Sequence, residues 1–224
     1  MNNNLECFFP LRDALASHGH EVVLLTLPNH GDERSEVDNF EEGLKLFNEK
    51  MKVLVDGPYH AVAFSLGALY LENWLATHSD QKPVSYVLLA PAIAVNYEGI
   101  IRPFFKNLPR TYFILSQMPR IFRRYNKLFF WEYALLLDGI EHLRGKERMS
   151  KPNLVLIDPK DELVNAKKVI SSYSFRGVKI EKIQRKNLKR SLGRHHIIFH
   201  PDYFNPDEWQ GLLSLIKSSF NSAA

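Results

Sequence analysis

The sequence predicts an α/β fold in which helices cover both faces of a mostly parallel sheet. Short apolar runs recur along the chain, and segments of helical periodicity separate them. Strands that are apolar on both sides are typical of buried parallel sheets, and alternation of strand with helix is the pattern of such sheets. The predicted strands are residues 21–27, 59–64, 84–90, 153–158 and 178–183.

Three helices are indicated by periodicity or by a start signal. Residues 5–17 and 38–51 each place three apolar side chains on one helical face. In the last helix Asn205 can cap, Pro206 suits the first helical position, and Glu208 stands where a capping box requires an acid. The aligned side chains are Phe8, Leu11 and Leu15 in the first helix and Phe40, Leu44 and Phe47 in the second.

Composition favours one globular domain over residues 1–224. The 224 residues are 45% hydrophobic, which suits a substantial core. The single cysteine, Cys7, excludes an internal disulfide, and neither a membrane-spanning run nor a signal peptide is evident. We therefore expect a cytoplasmic protein.

The basic stretch at 182–194 is interpreted as a solvated loop, and no nucleic-acid partner is expected, because aromatic stacking residues are lacking there.

The most informative motif is a strand-like run that ends at one serine. In residues 59–68 (YHAVAFSLGA) the run breaks at Ser65 and resumes as a helix, with the small residues Ala63 and Gly67 on either side. This pattern is typical of a nucleophile elbow, in which a sharp turn exposes a strained serine at the tip of a strand. The alternative is a small residue at a tight turn.

Ser65, Asp161 and His196 follow one another along the chain, each after a predicted strand. With this order, the chain resembles the α/β-hydrolase superfamily, most closely the monoacylglycerol-lipase and esterase-like serine hydrolases. In the first of the matching segments, Asn29 replaces a glycine of the family's L-P-G-H-G loop. The segments that carry the resemblance are residues 16–23 running into 27–31, the elbow at 59–68, residues 154–164 and residues 195–198.

The resemblance implies Ser65 as nucleophile and offers two adjacent histidines as the base that activates it. His196 precedes two isoleucines, as the catalytic histidine of the family precedes apolar residues, whereas His195 follows a Gly-Arg pair, as in some relatives. We favour His196 and keep His195 as the alternative. A two-histidine metal site lacks a third ligand at suitable spacing, so neither a metal nor a cofactor is expected.

The resemblance also implies Asp161 as the carboxylate that orients the histidine. Asp161 falls where the G-x-x-D-x-x-V pattern of the family places its acid, and Asp158 takes the place of the glycine. Such a carboxylate holds the imidazole in its useful tautomer and stabilises the imidazolium. The alternative is an acidic turn after a strand.

The oxyanion hole is the part of the resemblance that this chain matches least. The backbone N–H of Leu66 is one expected donor, and the second should come from the N-terminal loop near Met1 or Asn2. Relatives begin with further strands, one of which lies between those expected here at 21–27 and 59–64. We therefore expect an N-terminally truncated hydrolase fold in which Met1 is an internal residue of a longer reading frame. The alternative is a fragment whose neighbouring strands have closed up.

Residues 95–150 are rich in aromatics and arginines, where the family inserts a helical lid. Lid aromatics would line an acyl pocket, and the arginines could meet an acidic head group or a membrane surface. The alternative is helices that pack their aromatics on the core and leave the arginines in water. The lid residues expected at the substrate are Phe104, Phe105, Phe129 and Trp131.

These observations predict a serine hydrolase that cleaves carboxylic esters through an acyl-enzyme on Ser65. The expected substrate is a hydrophobic acyl ester, such as an acylglycerol or a lysophospholipid. A thioesterase or acyltransferase uses the same triad. Because fold alone does not give function, the alternative from another class is a catalytically silent, hydrolase-like binding protein.

Overall fold

A four-stranded parallel sheet forms the centre of the fold. The computed structural model describes residues 5–28, 30, 37–78, 80–106, 108–109, 111–115, 122, 127–146, 151–185 and 195–221. In their order across the sheet, the strands are β1 (His60–Phe64), β2 (Ser85–Leu89), β5 (Leu154–Ile157) and β6 (Lys179–Lys182). They confirm four of the five predicted strands.

The fifth predicted strand, at residues 21–27, is wrong: all seven residues are described, and they form no strand. A cavity of about 700 Å³, here called the β1 cavity, lies between this segment and β1. A strand exists only through ladder hydrogen bonds to a neighbour, and none of the described strands pairs with the apolar run at 21–27. Val23 is accordingly 60% exposed.

Side chains alternate between the two faces of the sheet and enter two separate cores. Leu88 and Val155 point into a core with helices α2 (Phe40–Leu54), α3 (Leu66–Leu75), α5 (Phe130–Arg144) and α6 (Ala166–Ser174). Leu89 and Leu156 point into the other core, with α1 (Phe9–Ala16) and α7 (Pro206–Asn221). Both faces are therefore covered, which is why these strands read as continuous apolar runs.

The helices follow the signals in the sequence. A 3₁₀ turn at Leu5–Phe8 leads into α1, and α2 carries its predicted apolar face into the core. At α7, Asn205 and Glu208 form the predicted capping box: Asn205 Oδ1 accepts from the Glu208 N–H at 2.8 Å, and the Glu208 carboxylate accepts from the Asn205 N–H at 3.1 Å.

The region between β2 and β5 contains helix α4 (Glu98–Lys106), a two-stranded antiparallel ribbon of β3 (Phe113–Leu115) and β4 (Lys127–Phe129), and α5. An ion pair ties α4 to α5: Arg144 donates two hydrogen bonds, of 2.6 and 2.7 Å, to the carboxylate of Glu98. These hydrogen bonds lower the pKa of Glu98 although burial opposes the shift. The two ends of the region are thus held together.

Candidate active site

Ser65 occupies a strained turn between β1 and α3. Its φ is 50° and its ψ is −114°, in the positive-φ region that residues with a Cβ rarely adopt. Three backbone hydrogen bonds hold it there: its N–H donates to the Leu89 carbonyl at 2.9 Å, and its own carbonyl accepts from Ala92 at 3.1 Å and Leu69 at 3.3 Å. The end of β2 therefore imposes the strain that pushes the hydroxyl out of the turn.

The hydroxyl of Ser65 begins a chain of hydrogen bonds that ends at Asp161. His196 Nε2 lies 2.8 Å from Ser65 Oγ, and His196 Nδ1 lies 2.8 Å from Asp161 Oδ2. All three side chains are buried. In the tautomer that this order requires, Nδ1 donates to the carboxylate and Nε2 accepts from the hydroxyl. The structure thus brings together the three residues that the sequence analysis singled out.

Backbone groups fix the carboxylate of Asp161. Its Oδ1 accepts from the N–H groups of Leu163 and Val164, both at 2.8 Å, which leaves Oδ2 for the histidine. The side chain of Asn96 donates to the carbonyl oxygens of Asp161, Glu162 and Val164 at 3.1–3.2 Å. The acidic loop after β5 is therefore anchored to the segment after β2, the same segment that holds Ser65.

The two adjacent histidines point to different carboxylates. His195 Nδ1 lies 2.8 Å from Asp158 Oδ2, and the backbone N–H of His195 donates to Glu162 at 3.1 Å. His196, not His195, reaches Ser65. The phenyl ring of Phe64 packs against the His196 ring with centroids 4.9 Å apart. The geometry therefore favours His196 as the base.

The family model described as "Alpha/beta hydrolase family" matches residues 5–181. The chain belongs to the alpha/beta hydrolase family. No curated protein sequence matches this hydrolase closely enough to count as a relative.

Solved structures show the same fold at low sequence identity. The monoacylglycerol lipase of Paleococcus ferrophilus is 16% identical, with a TM-score of 0.69 over 98% of this hydrolase and 91% of that chain. A soluble variant of the monoglyceride lipase of Saccharomyces cerevisiae, solved with a substrate analogue, is 15% identical. The match has a TM-score of 0.67 and covers 98% of this chain and 83% of the yeast chain. Methylketone synthase I of tomato is 14% identical. The match has a TM-score of 0.61 and covers 99% of this chain and 94% of the tomato chain.

One of the two expected oxyanion donors lies at a helix start. Leu66 is the first residue of α3, where backbone N–H groups have no partner within the helix and the helix dipole favours negative charge. The other expected donor, near Met1 or Asn2, lies outside the described residues.

The β1 cavity opens onto Ser65. Its lining includes Ser65, Leu66 and Gly67 together with apolar side chains of β1, α2 and the segment 20–27. His60 also lines it, and burial together with the nearby His20 lowers the pKa of His60. Among the described residues, a Cβ added at Gly67 would meet only Leu27 Cδ1, at 3.9 Å, so the described part of this flank of the serine is not tightly packed.

Three of the expected lid residues, Phe105, Phe129 and Trp131, do not line the β1 cavity. Phe105 packs on Phe130 and Tyr133, with ring centroids 4.8 and 5.0 Å apart, and Phe129 packs on Phe113 at 5.8 Å. Trp131 belongs to the first turn of α5, and the side chain of Phe104 lies outside the described part of the chain. Of the described side chains in this group, none lines the β1 cavity.

Sequence reasoning placed Arg185 in the solvated loop at 182–194, which is wrong for this residue, and it gave Asp158 no role. Both are buried beside the site, where Arg185 Nη2 lies 3.0 Å from Asp158 Oδ2. The available signal was Asp158 itself: it stands three residues before Asp161, where the family pattern has a glycine, and the sequence also offers a second histidine, His195.

Within the described residues there is no group of three or more His, Cys, Asp or Glu side chains that could hold a metal ion. None of the helices described is long and apolar enough to cross a membrane.

Proposed function

We propose that this hydrolase cleaves carboxylic esters through an acyl-enzyme on Ser65. The observation that carries the proposal is the hydrogen-bonded chain from Ser65 through His196 to Asp161, built on a strained turn. A serine hydroxyl is a weak nucleophile until a base within hydrogen-bond reach takes its proton. Here His196 Nε2 is at that distance.

Ser65, His196 and Asp161 have different roles in the reaction. Ser65 Oγ attacks the ester carbonyl carbon while His196 Nε2 takes its proton, and the carbonyl oxygen becomes an oxyanion near the Leu66 N–H. When the tetrahedral intermediate collapses, the C–O bond to the alcohol breaks and His196 returns the proton to the leaving oxygen. Water then attacks the acyl-enzyme by the same steps and releases the acid. Asp161 holds the imidazole and stabilises its charged form.

We further propose that the acyl group is hydrophobic. The β1 cavity meets Ser65 with a mainly apolar lining, but it extends along all of β1, where the sequence analysis expects a further strand, so the cavity as a whole is not proposed as the acyl pocket. The apolar surroundings of Ser65 favour an alkyl chain over a charged group. The names of the two lipases with the same fold identify acylglycerol esters as their substrates. This also supports a hydrophobic acyl group.

The segment 95–150 is proposed as a lid that contacts lipid or another apolar substrate phase. Tyr97 and Ile100, at the start of α4, are 74% and 73% exposed, and Leu115 on β3 is 65% exposed. Exposed apolar side chains concentrated in one region often mark a contact surface. An acylated substrate presented at a lipid surface would provide such a contact.

The test is hydrolysis of p-nitrophenyl esters of increasing acyl length by the wild-type chain, by Ser65→Ala and by Ser219→Ala. Ser219 is also buried, but it lies on α7, where its hydroxyl donates to the Ile216 carbonyl. We expect Ser65→Ala to lower kcat by about 10⁴-fold or more and Ser219→Ala to leave it unchanged. Ester binding without hydrolysis by the wild type would instead identify a hydrolase-like binding protein.

A further inference from the structure

We propose that Arg185 is a positioning residue that holds His196 in line with Ser65. The proposal rests on the proposed function, because it takes His196 as the base. Arg185 Nη2 donates to the carbonyl of His195 at 2.7 Å, and Nη1 donates to the carbonyl of Ile197 at 2.7 Å. These carbonyls belong to the residues immediately before and after His196. One guanidinium thus fixes the backbone on both sides of the base.

The guanidinium is itself fixed by Asp158. Asp158 Oδ2 lies 3.0 Å from Arg185 Nη2 and 2.8 Å from His195 Nδ1, while Asp158 Oδ1 accepts from the N–H of Lys160 at 2.8 Å. The ring of Phe204 lies beneath the guanidinium, 5.1 Å from Cζ. Arg185, Asp158 and His195 are only 5%, 2% and 4% exposed. The pair is therefore shielded from water and from salt.

The same short loop orients both histidines. Asp158 and Asp161 are three residues apart, and the Asp161 N–H donates to the Asp158 carbonyl at 3.0 Å. Asp161 binds the ring of His196, whereas Asp158 binds the ring of His195 and, through Arg185, the backbone around His196. The loop after β5 thus sets both the ring and the backbone of the base relative to the end of the sheet.

A stabilising role alone accounts poorly for this arrangement. A buried ion pair loses the hydration of two charges, and well-packed apolar residues of similar volume are often as stabilising or more so. What an apolar residue cannot do is bind two carbonyl groups at fixed directions. A planar guanidinium with several donors in a rigid fork does so, and a lysine ammonium, a compact point charge on a flexible stem, does not.

The test compares Arg185→Lys with wild type and with Arg176→Lys as matched control. Arg185→Lys keeps a positive charge beside Asp158 but cannot span both carbonyls. Arg176 also lies over an aromatic ring, that of Tyr173, but it is placed before β6, at the opposite edge of the sheet from Ser65. Because a displacement of about 1 Å can cost about 10²-fold in rate, we expect kcat of Arg185→Lys to fall by about 10- to 100-fold. KM should stay near wild type and Arg176→Lys should keep its kcat, whereas the melting temperature of Arg185→Lys should fall modestly, because one buried carbonyl loses its donor.

Crystal structures of wild type and Arg185→Lys provide a readout that does not depend on activity. We expect the distance between His196 Nε2 and Ser65 Oγ, now 2.8 Å, to lengthen beyond hydrogen-bond range in the variant. If wild type hydrolyses no ester, the proposed function fails, and this distance still tests the positioning role. The proposal is overturned if the variant keeps both kcat and the distance, or if it does not fold, because the guanidinium would then serve stability and not position.

Discussion

The two sides of Ser65 differ in how tightly the molecule is packed. On the β2 and β5 side, Leu89 and Leu156 are fully buried, and the backbone of Ser65 is bonded to residues 89 and 92. On the other side, the β1 cavity separates β1 from the segment 20–27. All groups of the proposed mechanism except the undescribed oxyanion donor come from the packed side or from the serine turn itself.

This difference separates the groups that transfer protons from the rest of the surroundings of Ser65. The proton-transfer chain needs atoms held within a few tenths of an ångström, and dense packing with backbone hydrogen bonds supplies that on one side. On the other side the β1 cavity lies where the sequence analysis expects a further strand, and neither His196 nor Asp161 lines it. Substitutions should therefore have large effects on the packed side and small effects on the cavity side.

The largest expected difference is between the two adjacent histidines. His196→Ala should lower kcat by about 10⁴-fold or more, because it removes the base. His195→Ala should lower it far less, since its ring bonds Asp158 and not Ser65. Steady-state ester hydrolysis by both variants checks this. Reversed phenotypes would move the base to His195 and show that the loop rearranges in solution.

A second comparison truncates one leucine on each side. Leu156→Ala, in the fully buried strand β5, should lower the free energy of unfolding by about 2–5 kcal/mol. Leu24→Ala should cost less than half as much, because Leu24 already lines the β1 cavity and lacks packing atoms on that side. Urea unfolding of both variants measures the difference. Equal losses would mean that the cavity is closed in solution.

The smallest effects are expected from two glycines within helices. An added Cβ at Gly139 in α5 would lie 2.5 Å from the Phe40 ring, which is buried, so Gly139→Ala should cost about 1–3 kcal/mol. The same change at Gly67 in α3 meets ordinary contact at 3.9 Å and should be neutral or stabilising by up to about 1 kcal/mol. The melting temperatures of the two variants measure these effects on stability. A decrease for Gly67→Ala as large as that for Gly139→Ala would contradict the loose packing beside Gly67.

The sequence predicted the packed side better than the cavity side, for a physical reason. Residues 84–90 and 153–158 are apolar on both faces and lie between neighbouring strands, so pattern and pairing agree. Residues 21–27 have the same pattern, but pairing is a tertiary property that no local pattern contains. In the same way, the bulky aromatics of 95–150 indicated an apolar surface without indicating that Phe105 would pack on Tyr133.

Chain order predicted the three residues of the hydrogen-bonded chain but not the residues around them. Ser65, Asp161 and His196 follow strands whose carboxyl ends lie at the same end of the parallel sheet. Their order and spacing therefore predicted which side chains could come together. Arg185 could not be found in this way, because its partners are backbone carbonyl groups, which every residue has. Asp158 carried a signal only as a departure from the glycine of the family pattern. Its partner His195 explains that departure.

If Ser65 is the nucleophile, it carries the acyl group during turnover, and mass spectrometry of an acid-quenched reaction with a slowly deacylating p-nitrophenyl ester detects that adduct. We expect a mass increase equal to the acyl group on the peptide that contains Ser65 in the wild-type chain. The adduct should be absent from Ser65→Ala and retained in Ser219→Ala. An acyl adduct on any other residue, or continued hydrolysis by Ser65→Ala at the wild-type rate, would show that Ser65 is not the nucleophile.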